Sequence, residues 1–453
     1  FVVTDAINMK GVQTEKGNTE LEALKAGNDM VEFVPDIEKA IESVKSALAS
    51  GEISMEEINS KCRRVLALKR QAGLHLYRPA NTAGLTGRLN SPYYEVTNRK
   101  LIKGALTVLE NDQVLPVEDL ANLKIASVMI GTGSRSPFQK MLDKYSDVDH
   151  YQLNKNTSEK ELAYLRRKLE NYNLVIAGIQ GINLYPARDY GTTQIQRSAL
   201  ADIIRENNTI AVFFGNAYAL KHFENIHHAD GLVLAYQNNR LTQELAAQSI
   251  FGAFNLSGRL PVTVDKRFQL GLGIPIKKNS SLAYTIPEEL GIDAEKLDNR
   301  IDSIAWLGFD SAAYPGCQVL IAKDGQVIFH KCYGFHTYKK KQKVTRDNIY
   351  DWASVTKVTG PLPALMKLVD EGKIDLDARF SNYWPDFKGT NKEKMTVREV
   401  LAHQARLQAW ISYWNMTLDE DGNLSNEDFK PLPTPEFNVR VSEHLYMNSG
   451  FRK

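Results

Sequence analysis

Two short stretches of the sequence contain side chains of the type used in covalent catalysis. Asp5 follows the apolar run Phe1–Thr4, which predicts a strand. At the carboxyl end of a β/α-barrel strand, a carboxylate faces the active site and can attack an anomeric carbon. On spacing alone, however, an aspartate here is more typical of a helix cap or a turn.

The second stretch is Ser354-Val-Thr-Lys357, an S-x-x-K pattern that begins a predicted helix ending at Glu371. In the first turn of a helix, this spacing puts the hydroxyl and the amine on one face. The lysine can then take the serine proton, while the amino end of the helix stabilises an oxyanion. A plain N-cap role for Ser354, with Lys357 exposed, is an equally good interpretation of the spacing.

Other candidate patterns favour structural roles. The sequence GTGS at 131–134 follows a predicted strand and precedes a helix, but it lacks the third glycine of a dinucleotide-binding loop, so we interpret it as a turn. His222 and the pair His227-His228 do not share one helix face, and no cysteine is near them. His403 ends an amphipathic helix, where an imidazole is favoured structurally. We therefore expect no cofactor and no metal.

Composition narrows the class of protein. The 453 residues suggest about three domains, and 43% hydrophobic with 24% charged residues is ordinary for a globular protein. A formal net charge of +2 gives no field that would recruit nucleic acid, so the expected partner is neutral or small. No apolar run is long enough for a membrane span, and three cysteines make no disulfide framework. The oligomeric state stays open.

The order of predicted elements indicates an α/β fold class in three segments. Residues 1–78 alternate strands and helices, and residues 79–96 are polar and rich in glycine and proline, which suits a linker. Residues 97–285 again alternate, which predicts a doubly wound, mostly parallel sheet. Residues 286–453 begin with a helix and a strand hairpin, an α+β pattern.

The hairpin turn at Asp324-Gly325 also predicts a register. If the turn has two residues, paired positions sum to about 649, which puts Cys317 opposite Cys332. We interpret the two thiols as small apolar residues packed on one face. A cross-strand disulfide is the alternative, and it needs an oxidising compartment.

The first two segments resemble family 3 glycoside hydrolases of the β-N-acetylglucosaminidase branch. FVVTDAINMKG at 1–11 and AGNDM at 26–30 are similar to the last part of that family's β/α barrel. Four further stretches are similar to its α/β sandwich domain: FGNAYALK at 214–221, AYQN at 235–238, TQE at 242–244 and SGRLPV at 257–262. The resemblance implies that Asp5 is the covalent nucleophile of a retaining glycosidase.

The third segment is similar to serine β-lactamases and penicillin-binding proteins, which occur fused behind such glycosidases in envelope proteins of Bacteroidetes. The likeness rests on DWASVTK at 351–357, GKIDLD at 372–377 and VREVLAH at 397–403. It implies that Ser354 is an acyl nucleophile and Lys357 its base. Tyr446-Met-Asn448 fits the family's Tyr-x-Asn motif, but it lies in a predicted helical stretch, so a role for Tyr446 stays open.

The resemblance also implies what the sequence lacks. The glycosidase family's general acid, a histidine paired with an aspartate, belongs to earlier barrel strands. We therefore expect a fragment: a barrel remnant, a complete sandwich and a truncated serine hydrolase domain, with little glycosidase activity of its own. A barrel remnant should expose apolar surface near residues 1–35.

The expected parent is a β-N-acetylhexosaminidase acting on carbohydrate that contains N-acetylglucosamine, such as peptidoglycan fragments. By resemblance alone it belongs in the periplasm or cell envelope. One alternative assigns the activity to the third domain, as a serine esterase or D-amino-acid peptidase. The other is that both centres are non-catalytic binding modules.

Overall fold

The computed structural model describes residues 1–12, 18–412 and 414–451. The chain divides into two compact units, residues 1–346 and residues 347–453. Within the described residues, no helix combines the length and the apolar character needed to cross a membrane.

The first unit begins with two strand-helix repeats. Strands β1 (Val3–Ala6) and β2 (Met30–Glu32) pair in parallel. The helices are α1 (Thr19–Lys25), α2 (Ile37–Ala49) and α3 (Met55–Gln71).

Local signals set the ends of the last of these helices. The hydroxyl of Ser54 accepts a hydrogen bond from the backbone N–H of Glu57 at 3.1 Å, so Ser54 is the N-cap of α3. Gly73 follows the helix with a φ of +78°, a left-handed conformation that glycine adopts without strain. Both ends of α3 are therefore set by residues next to the helix in the chain.

Apolar side chains around β1 and β2 remain exposed, as predicted. Phe1 and Val2 are about half exposed, and Phe33 is 67% exposed. The hydrophobic cluster in this part of the chain is small and centres on Leu21, Ala47 and Ile53.

Residues 85–250 form a six-stranded α/β sandwich in the same unit. The strand order is β3-β8-β7-β6-β4-β5, and all neighbours are parallel except β3 with β8. In chain order the elements are α4 (Leu85–Leu89), α5 (Pro92–Ala105), β3 (Thr107–Asn111), β4 (Ile125–Ile130), α6 (Pro137–Leu142), β5 (Val148–Leu153), α7 (Glu159–Leu169), β6 (Leu174–Ile179), α8 (Gln194–Glu206), β7 (Thr209–Phe213), β8 (Gly231–Leu234) and α9 (Arg240–Ile250).

The central strands are buried on both faces, which explains their continuous apolar sequences. Every residue of β4 and β6 is buried, and a hydrophobic cluster packs against each face of the sheet. Strand β5 was not predicted from the sequence. It lies at the edge of the sheet, and its sequence VDHYQL mixes polar and apolar residues. The predicted linker 79–96 contains α4 and the start of α5.

The first unit ends with a three-stranded sheet and one long helix. Its elements are β9 (Ala283–Tyr284), α10 (Ala294–Asp310), β10 (Gly316–Lys323) and β11 (Gln326–Gly334), with β11 in the centre of the sheet. Helix α10 packs against one face of the hairpin through a small cluster that contains Ala305, Phe329 and Tyr333.

The predicted hairpin register is wrong by one residue. Next to the turn the pairing is as expected, but a bulge between Ile321 and Ala322 shifts it, so that Cys317 pairs with Tyr333 and Gln318 with Cys332. A shift of one residue moves a side chain to the other face of the sheet, so the two thiols do not oppose each other. In the structure, Cys317 and Cys332 form no disulfide bond.

The second unit consists of short elements. They are α11 (Thr356–Thr359), α12 (Pro361–Asp370), α13 (Val397–Leu401), β12 (Phe429–Lys430), β13 (Val439–Ser442) and β14 (Leu445–Met447). The prediction of a single helix from Ser354 to Glu371 is wrong, because Gly360 interrupts the helix between α11 and α12. A proline at 361 disfavours the helical conformation of the preceding residue, and Gly360 adopts a φ of −106° and a ψ of −83°.

Candidate functional site

Ser354 and Lys357 meet directly. Ser354 lies in a 3₁₀ turn, Ala353–Val355, and Lys357 is the second residue of α11. The Nζ of Lys357 donates a hydrogen bond to the Oγ of Ser354 at 3.0 Å, and both side chains are exposed. This is the distance at which a base can take the proton of a nucleophilic hydroxyl.

The turn that carries Ser354 is held in an unusual backbone conformation. Ala353 has a φ of +42°, which is rare for a residue with a Cβ atom. The Oδ1 atom of Asp351 accepts a hydrogen bond from the N–H of Ala353 at 2.8 Å. Ser354 therefore lies inside this turn and caps no helix, so the plain N-cap interpretation is wrong. This role of Asp351 was not predicted from the sequence, although an aspartate two residues before a turn position is a recognisable Asx signal.

Tyr446 lies on a strand. It is the middle residue of β14, where it pairs with Lys430 and Arg440, so the helical stretch predicted around it is wrong. Its side chain is half-buried. The hydrogen bond between Ser354 and Lys357 does not include Tyr446.

Asp5 is the third residue of β1 and is exposed. Its Oδ1 accepts the N–H of Ala6 at 2.7 Å. Ala6 pairs with Glu32, and the N–H of Ile7 donates to the carbonyl oxygen of Glu32 at 3.1 Å. The carboxyl ends of the two parallel strands thus lie side by side. The carboxylate of Asp5 is accessible from solvent at this edge.

A second carboxylate nearby, Asp29, has a structural role that the sequence did not reveal. It is buried and accepts hydrogen bonds from Nε of Arg64 at 2.7 Å and from the N–H of Val2 at 2.9 Å. The Arg64 guanidinium, followed by the Val2 N–H, lowers the pKa of Asp29 from its ordinary value. Asp29 thereby joins the start of β1 to α3, which fixes the strand that carries Asp5.

The GTGS loop has a steric reason for its first glycine. Gly131 has a φ of +102°, and a Cβ atom there would lie 2.2 Å from the carbonyl oxygen of Gln180. The predicted structural turn is confirmed, because the next loop of the sheet packs directly on this glycine.

The histidines occupy loops and turns. The Nδ1 of His222 lies 3.7 Å from Oδ1 of Asp189, and the rings of His227 and His228 have centroids 4.0 Å apart. His403 follows α13 with a φ of +56°. In the part of the chain that the structure describes, no group of three or more His, Cys, Asp or Glu side chains is arranged to hold a metal ion.

Two protein-family models match segments of the chain. Residues 1–68 match the glycosyl hydrolase family 3 N-terminal domain, and residues 297–430 match the β-lactamase family. The two segments are therefore similar to two different families. These matches confirm the predicted family resemblances for residues 1–68 and 297–430, and the sheet topology confirms the predicted α/β fold class.

Curated relatives match part of the chain. A putative D-alanyl-D-alanine carboxypeptidase of Salmonella gallinarum is 31% identical over 191 residues, which is 38% of this chain and 43% of the relative. A protein of the same description from Salmonella agona is 34% identical over 150 residues, 30% of this chain and 34% of the relative. The chain thus spans less than half the length of these relatives.

Solved structures that align with part of the chain include glycoside hydrolases. A glycoside hydrolase family 3 β-N-acetylglucosaminidase from Paenibacillus is 19% identical, with a TM-score of 0.44, covering 58% of this chain and 51% of that one. A β-glucosidase from Listeria innocua is 17% identical, also with a TM-score of 0.44, covering 58% of this chain and 40% of that one.

Proposed function

We propose that the protein is a hydrolase with two separate centres that both work through a covalent intermediate. One centre uses Ser354 and Lys357 to transfer an acyl group, and the other uses Asp5 to cleave a glycosidic bond. The observation that supports the proposal most directly is the 3.0 Å hydrogen bond between Lys357 and Ser354.

At the first centre, the Oγ of Ser354 attacks the carbonyl carbon of an ester or of a D-amino-acid amide. The Nζ of Lys357, once neutral, takes the serine proton and returns it to the departing alcohol or amine as that bond breaks. Water then hydrolyses the acyl-serine. This reaction class is supported by the β-lactamase-family match and by relatives described as putative D-alanyl-D-alanine carboxypeptidases.

Covalent labelling of the full-length protein tests this centre. A fluorescent penicillin and a fluorophosphonate should each label the wild type but not Ser354→Ala. Lys357→Met should slow labelling by about 10²–10⁴-fold, the range typical of a lost general base. The matched controls are Ser442→Ala, an exposed serine of the same unit, and Lys367→Met on α12, which should both label normally. Equal labelling of Ser354→Ala and wild type, or an unreactive wild type, would contradict the proposal.

At the second centre, the carboxylate of Asp5 attacks the anomeric carbon as the glycosidic bond breaks, and water later releases the sugar from the aspartyl ester. This assignment is supported by the family 3 match of residues 1–68 and by the exposed position of Asp5 near the carboxyl end of β1. Departure of the leaving group needs a proton donor, which we propose is supplied by the histidine-aspartate pair typical of the family.

We further propose that the sugar is N-acetylglucosamine, in carbohydrate such as peptidoglycan fragments, and that the protein works in the periplasm or cell envelope. The support is the similarity of residues 1–11 and 26–30 to the β-N-acetylglucosaminidase branch. Aryl N-acetyl-β-glucosaminide and aryl β-glucoside should be compared as substrates of the full-length protein. Preference for the glucoside would reject this specificity while leaving Asp5 in place.

The nucleophile itself is tested by trapping. A fluorinated N-acetylglucosaminyl donor with a good leaving group should accumulate as an ester, and peptide mass mapping should locate the ester on Asp5. Asp5→Ala should lose both trapping and turnover, whereas Asp36→Asn, which changes an exposed N-cap aspartate of the same segment, should keep both. An ester on any other carboxylate would reject the assignment.

A further inference from the structure

A polar cleft with a volume of about 240 Å³ lies within the unit formed by residues 1–346. Its walls come from α5, α6 and α9 of the sandwich, from β9, and from the hairpin strand β11. The cleft therefore lies where the sandwich meets the first residues of the β-lactamase-family segment. Its size suits a ligand smaller than a typical drug-like molecule.

Two cations that line this cleft have no carboxylate partner among the residues that the structure describes. The Nζ of Lys144 lies 4.2 Å from the centre of the Tyr284 ring, and Arg346 donates from Nη2 to the carbonyl oxygen of His330 at 3.0 Å. Neither forms an ion pair with any residue that the structure describes. The Lys144 side chain is also open to solvent, so a ligand can reach its ammonium group.

The remaining charged groups of the cleft are paired. Arg99 donates to Glu289 at 3.0 Å, and its Nη1 lies 4.0 Å from Glu95. Arg240 donates to Glu244 at 2.7 Å. The acidic groups around the cleft are thus already bound to other guanidinium groups, and the positive charges of Lys144 and Arg346 are left uncompensated.

The pKa shifts agree with an excess of positive charge. Desolvation lowers the pKa of Lys144, and the guanidinium groups led by Arg346 lower it further against the opposing effect of Glu244. Burial, followed by the charges of Arg346 and Lys144, also lowers the pKa of His330. An anion in the cleft would relieve this repulsion and favour the charged form of the lysine.

We propose that this cleft binds a small oxyanion, a phosphoryl or multiply charged carboxylate group, with Lys144 and Arg346 as its two charged anchors. The Tyr284 ring supports the lysine on one side, and the guanidinium of Arg346 offers planar N–H donors that suit either kind of oxygen ligand. The site goes beyond the two hydrolytic centres and does not depend on either of them.

Isothermal titration calorimetry at constant ionic strength tests the site on the full chain. Inorganic phosphate and citrate are the two probes, so the arms distinguish a phosphoryl from a carboxylate ligand. At least one should bind saturably to the wild type, and Lys144→Met and Arg346→Met should each weaken it by about tenfold, as expected for a lost charge-assisted hydrogen bond. Lys140→Met, an exposed lysine one turn earlier on α6, should bind like the wild type.

Nuclear magnetic resonance of labelled lysines gives an independent measurement. The bound anion should raise the pKa of Lys144 and leave that of Lys140 unchanged. Thermal unfolding without ligand shows whether each variant is folded. The proposal is overturned if neither probe saturates the wild type, or if folded Lys144→Met and Arg346→Met bind as tightly as Lys140→Met.

Discussion

The substitution Glu289→Gln tests the ion pair between Glu289 and Arg99. Arg99 lines the cleft that also contains Lys144 and Arg346. Glu289 accepts from Lys103 at 2.6 Å and from Arg99 at 3.0 Å, and the hydroxyl of Thr285 donates to it as well. The side chains of Arg99 and Glu289 are 4% and 10% exposed. Glutamine keeps the shape of the side chain but removes its charge, so the buried guanidinium loses its main counter-ion.

The expected cost follows from burial. Removing one member of a buried ion pair costs about 3–5 kcal/mol, because the other charge stays buried and unpaired. Arg99 still donates to the carbonyl oxygen of Tyr284 at 2.7 Å, and Lys103 has access to water. We therefore expect the lower limit, a loss of about 3 kcal/mol, which corresponds to roughly 6 °C in the midpoint of thermal unfolding.

Differential scanning calorimetry of the whole chain measures this loss, with Glu288→Gln as the control. The double variant Arg99→Met with Glu289→Gln should be less destabilised than the sum of the single changes by roughly 1–3 kcal/mol, since it leaves no buried guanidinium without its carboxylate. A loss below about 1 kcal/mol for Glu289→Gln, or strict additivity in the double variant, would refute this reasoning.

The pH dependence gives a second measurement of the same contact. Burial alone would raise the pKa of Glu289, but Lys103, Thr285 and Arg99 together lower it below its ordinary value. A carboxyl with a lowered pKa in the folded state stabilises the fold above the unfolded-state pKa, and this stabilisation is lost as the pH falls through the folded-state pKa. Acidification through that range should thus destabilise the wild type more than Glu289→Gln.

Two further predictions concern local geometry. Gly131→Ala should destabilise the sandwich by at least about 2 kcal/mol in thermal unfolding. Gly131 has a φ of +102°, and an added Cβ atom would clash with a backbone carbonyl oxygen. The control Gly133→Ala should be nearly neutral, because the nearest atom to its added Cβ would be 3.7 Å away. A mild oxidant should form no disulfide between Cys317 and Cys332, since the observed register puts them on opposite faces of the hairpin. A disulfide between them in peptide mapping would contradict that register.

Much of the fold was accessible from the sequence because its signals are local. The mostly apolar strands β4 and β6 and the Ser54 cap of α3 each depend on residues close together in the chain. The S-x-x-K spacing belongs to the same class, because residues three apart in a helical turn must lie near each other. The residue type of each candidate nucleophile could therefore be predicted from the sequence.

The tertiary structure decided what depends on distant residues or on small irregularities. A single bulge in the β10–β11 hairpin shifts the register, so that Cys317 does not pair with Cys332. Residues 445–447 form strand β14 because they pair with β12 and β13. Arg99 and Glu289 meet although 190 residues separate them, which no periodicity could indicate.

Sequence by itself thus determined which residue types are available for chemistry and which elements carry them. Only the folded chain decided which charges are paired and which are left over, as with Lys144 and Arg346. The physical reason is that helix caps and apolar periodicity are set by neighbours in the chain. Strand register and charge pairing instead depend on the relative positions of whole elements, which packing alone determines.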